Sequence, residues 1–247
     1  MTGIYIEWLK SRRTKSFSIV AILIVVATLW NIATFSSAFS HPELKTVGTL
    51  FSNQNVNLLM FPIAVCVFAA RIVGNEREGQ TFRLQAVNGQ HFLTIFNHKF
   101  LFMMIFFSIM SVLEVTAIYF FGKQVGISIP FSIIELQFVG QLLTIFSLIC
   151  IYLTIAMVLE RQGILLALGL LGGFSGIVLN PRSYGFISLL NPITGFGSLA
   201  PYKYQFLGDG AFTYSFDEKI LWKLVVYAVY CALLYGLANI ILKKRGS

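Results

Sequence analysis

Charge is what this sequence has least of. Only 11% of its 247 residues are Asp, Glu, Lys or Arg, and 57% are hydrophobic, where a soluble globular domain carries roughly 25% charged residues. A chain of this length cannot hide that much apolar surface in one aqueous core. The composition therefore excludes an ordinary soluble enzyme and points to the bilayer as solvent. Cysteine is scarce as well. Cys66, Cys150 and Cys231 all fall inside apolar runs, which excludes a disulfide framework and reads as small buried hydrophobes. The histidines His41, His91 and His98 are scattered without zinc-ligand spacing. No Ser/His/Asp, Cys/His or paired-carboxylate constellation stands out, so no catalytic residue is assigned and no metal site is expected. A phosphate-cradling G-x-x-x-x-G-K-[ST] loop is missing too: the nearest stretch, FGKQVG at 121–126, has Gln124 after its lysine. The chain is expected to bind no cofactor directly and to hydrolyse no nucleotide.

What is present is a series of long apolar runs. A membrane helix needs about 20 mostly apolar residues, and six spans are read, at about 17–39, 56–74, 100–121, 136–159, 163–179 and 220–242. The fourth and fifth are divided only by Glu160, Arg161 and Gln162, but one unbroken span of that length would far exceed the hydrocarbon thickness. The expected fold is all-α: a polytopic integral membrane protein, residues 1–247 forming a single transmembrane domain. The first apolar run is too long for the roughly 7–15-residue core of a cleaved signal.

The basic residues orient the spans. With the N-terminus in the cytoplasm, Lys45, Lys123, Arg182, Lys203, Lys219 and Lys223 fall outside and the other twelve of the 18 fall inside, as cytoplasmic enrichment of Lys and Arg requires. Both termini are read as cytoplasmic. The net charge of +8 belongs to anchoring against anionic lipid. No nucleic-acid partner is expected, because no basic patch is interleaved with exposed aromatics on a soluble face.

Before the first span, IYIEWLKSRRTKSF reads as a short helix in the membrane interface. Ile4, Trp8 and Leu9 share a face, Lys10, Arg13 and Lys15 lie toward the polar side, and Glu7 pairs with Lys10. It is either an elbow bracing the first span or a plain positive anchor.

Between the second and third spans lies NEREGQTFRL, residues 75–84. An anchoring loop needs only lysine and arginine. Here Glu76, Arg77, Glu78 and Arg83 balance acid against base, with Phe82 and Leu84 interleaved. That mixture suits a docking surface, and equally a solvated loop with internal charge pairs.

The chain as a whole resembles the membrane subunit of a type-2 ABC exporter, and within that class the lantibiotic-immunity permeases of Gram-positive bacteria. The resemblance rests on the interfacial helix, the six spans and the acidic-Gly-Thr loop, where Glu76, Glu78, Gly79 and Thr81 match the coupling helix that docks on the ATPase. It extends to LLNPITGFGSLAPY at 189–202. Two departures stand out: Gln80 separates Gly79 from Thr81, and AVNGQHFLTIFNHK replaces a Pro-x-Ser/Thr-Arg stretch. The resemblance implies a permease in a bacterial cell membrane, expelling an antimicrobial peptide to give self-protection. It also implies an ATPase dimer that supplies ATP and Mg²⁺ chemistry, and a second permease subunit. A heterodimer is favoured and a homodimer is the alternative. Glu76, Arg77, Glu78, Gly79, Thr81, Phe82 and Arg83 would contact the motor, with Glu160 and Arg161 as a second, smaller contact.

Glu114 lies within the third span, where a carboxylate costs several kcal/mol unless it is paired, solvated or neutral. It either lines a cavity that attracts a cationic substrate or makes a structural hydrogen bond. The outer stretch 180–219 is broken by glycine and proline and rich in aromatics, Phe196, Tyr202 and Tyr204 among them. It reads as short outer helices before the last span, either an aromatic anchor or a hydrophobic gate. Gly169, Gly172, Gly173 and Gly176 permit close packing within the bundle or across a dimer. Two other classes are weighed against the exporter. An ion-coupled transporter or channel without an ATPase needs more intramembrane charge or matched broken helices, and a scaffold needs a soluble interaction domain.

Overall fold

The computed structural model describes residues 2–13, 15–52, 55–79, 91–159, 161–179, 189–208 and 211–245. Helix α1 (Thr2–Arg13) precedes α2 (Ser16–Ala38); a 3₁₀ turn (Pro42–Leu44) and α3 (Val47–Ser52) lead into α4 (Asn55–Glu78). Then come α5 (Phe92–Gln124), α6 (Phe131–Val158) and α7 (Gln162–Leu179). A 3₁₀ turn (Pro192–Thr194), the single-turn α8 (Gly195–Ser198), strands β1 (Tyr202–Gly208) and β2 (Ala211–Phe216) and α9 (Ile220–Arg245) follow. Among the described residues six helices, α2, α4, α5, α6, α7 and α9, are long and apolar enough to cross a membrane. The protein is an all-α polytopic membrane protein in class. Helices suit this because every backbone polar group in the hydrocarbon is satisfied within its own segment.

The spans run longer than hydropathy indicates. α4 carries Asn75–Glu78 as its last turn, and α5 begins at Phe92, eight residues before the apolar run. In both cases backbone hydrogen bonding continues past the point where apolar composition stops.

Burial ranks the helices. In α4 and α6, 67% of the apolar window is buried, against 22% in α2 and α9, so α4 and α6 form the centre. The main core gathers Phe61, Phe68, Phe96, Met103, Phe107, Leu148 and Leu153. α7 lies directly on α4. A side chain at Gly173 would meet the Leu59 carbonyl at 2.6 Å, and one at Gly176 the Leu58 carbonyl at 2.9 Å. Pro62 lies inside α4 and cannot donate to that same Leu58 carbonyl; glycine on α7 lets backbone close over it. The glycine stripe therefore serves packing within the bundle. Cys66, Cys150 and Cys231 are all buried, and Cys66 Sγ donates to the Leu165 carbonyl at 2.9 Å.

The bundle has two distinct ends. α1, the end of α4, the start of α5 and the end of α6 meet at the first, here called the terminal end. Tyr235 Oη on α9 donates to Asn97 Oδ1 on α5 at 2.8 Å, bringing the C-terminal half of α9 to this end. Lys15 joins α1 to α2 with φ 54 and ψ 15, a left-handed conformation uncommon outside glycine, which sets the elbow.

The second end corrects one expectation. Short helices do precede the last span, but β1 and β2 form an antiparallel hairpin, pairing Tyr202 with Phe216 and Tyr204 with Tyr214, with a bulge between Phe206 and Gly208. The residues alternate Tyr202, Lys203, Tyr204, Gln205, Phe206 with period two, and Gly208-Asp209-Gly210 is a turn composition. That periodicity outweighs the helical reading drawn from the aromatic content.

Candidate functional site

Among the described residues, the terminal end holds the densest arrangement of charge. Lys99, wholly buried at the start of α5, bonds Glu7 Oε2 of α1 at 3.0 Å and Glu76 Oε2 of α4 at 2.9 Å. Lys10 bonds Glu76 Oε1 at 2.7 Å and lies 3.8 Å from Glu7 Oε1. Two acids and two bases alternate around a closed ring that staples α1, α4 and α5 together. Removing one partner from such a buried set leaves an uncompensated charge and typically costs about 3–5 kcal/mol. The Glu7–Lys10 pair expected from helical spacing is present as one edge of this ring.

Arg77, one residue on, turns the other way. Its guanidinium donates to the carbonyl of Met157 at 3.0 Å and to that of Leu159. These are carbonyls that the end of α6 leaves without an intrahelical donor, and a cation there also complements the helix dipole. Glu76 and Arg77 thus tie the last turn of α4 to α1 and α5 on one side and to α6 on the other. Glu78 and Gly79 remain exposed. Of the expected docking residues, Glu76 is therefore turned into the protein and Glu78 outward. Thr81, Phe82 and Arg83 lie outside the described residues, as does Glu160. Arg161 is exposed and lines the same crevice as Arg77 and Gln162.

Glu7, Lys10 and Lys99 were not singled out by sequence reasoning as members of one site. A signal for Lys99 was available. Phe96, Phe100, Met103 and Phe107 are buried on α5, and Lys99 shares their helical face, so the periodicity points it inward.

A second polar chain crosses the bundle between α2, α4 and α5. Asn31 Nδ2 donates to Asn57 Oδ1 at 2.7 Å, and Asn57 Nδ2 donates to Glu114 Oε1 at 2.6 Å. All three side chains are sealed from solvent, at 0%, 0% and 1% exposure. Glu114 makes no ion pair among the described residues; amides hold it.

The other gate candidates occupy separate places. Phe196 is buried, its ring 4.6 Å from that of Phe61 in the main core. Tyr202 packs beside Phe35, Leu50 and Ile133, and Tyr204 is exposed on the hairpin with its ring 6.1 Å from that of Tyr214. Glu114, Phe196 and the two tyrosines belong to three different surroundings. A further groove of about 420 Å³ opens between α6 and α7, mostly aliphatic, with Tyr152 and Ser175 on its wall.

At the hairpin end, Asp217 is buried and bonds Lys203 of β1 at 2.6 Å and Lys223 of α9 at 2.7 Å. Its Oδ1 also accepts from the Lys219 amide at 3.1 Å. Burial alone would raise this carboxyl; the bonds from the two lysines outweigh it and hold the group below the ordinary aspartate range. The cluster clasps the hairpin to the start of α9.

The model of the family described as ABC-2 family transporter protein matches residues 3–177. No curated protein and no solved structure matches the chain.

Proposed function

The chain belongs to the ABC-2 transporter family, and from that premise we propose that it is the permease half of a peptide exporter whose motor grips the segment following α4. Membership makes it a membrane permease subunit of an ABC exporter, with the catalytic ATPase a separate partner. The observation that carries the motor reading is the double fastening of the last turn of α4. A push on the segment after Gly79 reaches α1 and α5 through the charge ring and α6 through Arg77. Exposed Glu78 presents the charge available to the partner; Glu76 and Arg77 transmit.

Both termini face the cytoplasm in this reading, and the membrane is bacterial. Six spans are too few to enclose a path for a peptide, so two permease subunits assemble, preferentially two different ones. The cargo is a cationic amphipathic peptide of the lantibiotic kind. The resemblance of 189–202 to the immunity permeases supports that class, and the aliphatic groove between α6 and α7 suits an apolar side chain arriving from the bilayer. The alternative, ion-coupled transport without an ATPase, draws on Glu114. Against it stand the family and the single buried acid at mid-span among the described residues.

The test is co-purification with the candidate ATPase, wild type against Glu78→Lys with Gly79 intact. Loss of the ATPase with membrane insertion unchanged supports docking at this segment; full retention removes it. For the cargo, a sensitive host expressing permeases and ATPase should tolerate a lantibiotic and return intact peptide to the medium. Unchanged sensitivity would rule that cargo out.

A further inference from the structure

α1 is inside out for an amphipathic helix in water. Its packed side carries Glu7 and Ser11, at 5% and 3% exposure, while Tyr5, Trp8 and Leu9 stand free at 60%, 41% and 41%. The Tyr5 and Trp8 rings stack with centroids 6.0 Å apart, and the Arg12 guanidinium carbon sits 5.6 Å from the Trp8 ring centre. Arg12 and Lys15 are exposed. The helix has one acidic residue, Glu7, and the ring with Lys99 and Lys10 turns it inward. The free side is left with rings and cations and no acid of its own. Directly after Lys15, the membrane-spanning α2 also exposes apolar side chains in its first two turns, Ile19 and Ile22. A helix joined to a membrane span through Lys15 lies at the span's end, and stacked aromatics beside guanidinium suit the level of the headgroups there.

We propose that this face of α1 binds the headgroup of an anionic phospholipid, Arg12 and Lys15 taking the phosphate beside Tyr5 and Trp8, and that the ring behind the helix passes lipid occupancy to the ends of α4 and α5. Guanidinium matches phosphate with two parallel donors, and Lys15 adds a second point charge at the joint. Because α1 is stapled to Glu76 and Lys99, it cannot settle into the headgroup layer without carrying those helix ends with it. The inference requires only a membrane, not an ATPase, so it stands or falls apart from the motor reading.

The experiment uses the full chain in nanodiscs of phosphatidylcholine with increasing phosphatidylglycerol. Thermal unfolding and amide exchange over 2–13, 74–79 and 92–99 are followed together. In the wild type, the unfolding midpoint and the protection of all three segments should rise with the anionic fraction. Arg12→Gln should raise the fraction needed for half the effect about five-fold, and Lys15→Gln similarly. Both are surface changes that leave the bundle intact. Glu7→Gln should keep the response of 2–13 and lose that of 92–99. If the Arg12→Gln/Lys15→Gln double variant responds like wild type, or the wild type does not respond, there is no lipid site on α1. If protection rises over 2–13 alone in the wild type, the ring does not transmit occupancy.

Discussion

Glu76 and Glu114 are equally well hidden, at 3% and 1% exposure, and their surroundings are opposite. Glu76 sits at the end of α4, where α1 and the start of α5 each bring a lysine. Glu114 sits within α5, where α2 and α4 bring asparagines. A helix end near the interface can recruit lysines whose own cost of burial is modest. A lysine at mid-span would have to meet that cost deep in hydrocarbon, so neutral amides serve there. The first arrangement locks helices through charge balance, and the second joins them through hydrogen bonds that tolerate a neutral partner.

That contrast can be broken most severely at Lys99. Lys99→Met leaves Glu7 and Glu76 buried around an apolar stem and should lower the unfolding free energy by about 3–5 kcal/mol, read by denaturant titration in detergent. A loss below about 1 kcal/mol would show that the ring is decoration rather than a lock.

One substitution made at both acids sharpens the comparison. Glu76→Gln should cost about 3 kcal/mol, because Lys10 and Lys99 are left to share Glu7. Glu114→Gln should change stability by less than about 1 kcal/mol, because the amide oxygen still accepts from Asn57, whereas Glu114→Leu strands that donor at about 1–3 kcal/mol. Equal effects of Gln at the two positions would erase the distinction.

A smaller loss, about 1–3 kcal/mol, is expected from Gly173→Leu, which pushes α7 off the Leu59 carbonyl. It should also loosen the groove between α6 and α7, checked by cysteine cross-linking across the two helices.

The smallest effect concerns pH at the hairpin end. The Asp217 carboxyl is held below its ordinary value of 3.8 by Lys203 and Lys223. A depressed carboxyl stabilises the folded state fully above its ordinary value and loses that contribution as pH falls through the depressed one. Protease resistance of the hairpin should therefore fall on acidification below about pH 4, and Asp217→Asn should flatten the response. A hairpin equally resistant on both sides of that range would show that the clasp does not depend on the charge.

The spans, the elbow helix and the placement of three cysteines in apolar runs were all legible, because hydropathy over twenty residues is a sum that neighbours barely alter. The direction of Glu76 was not. NEREGQTFRL reads as one charged stretch, yet its first four residues finish α4. At 3.6 residues per turn, Glu76, Arg77 and Glu78 must point three ways. The hairpin was legible in the alternation of 202–206, and the aromatic content obscured it. The Asn31–Asn57–Glu114 chain was half legible. Glu114 stood out as a charge in a span, while two asparagines looked unremarkable until three helices brought them together.

By itself, then, the sequence determined the apolar solvent and the six helical runs long enough to cross it, because those follow from composition and length along one helix at a time. The tertiary structure alone decided which charges are partners. Lys10, Glu76 and Lys99 are 66 and 23 residues apart along the chain, and only the packing of α1 against α4 and α5 places a cation within 3 Å of each acid. The energy of an ion pair depends on that distance and on exclusion from water, and neither is a property of any one segment.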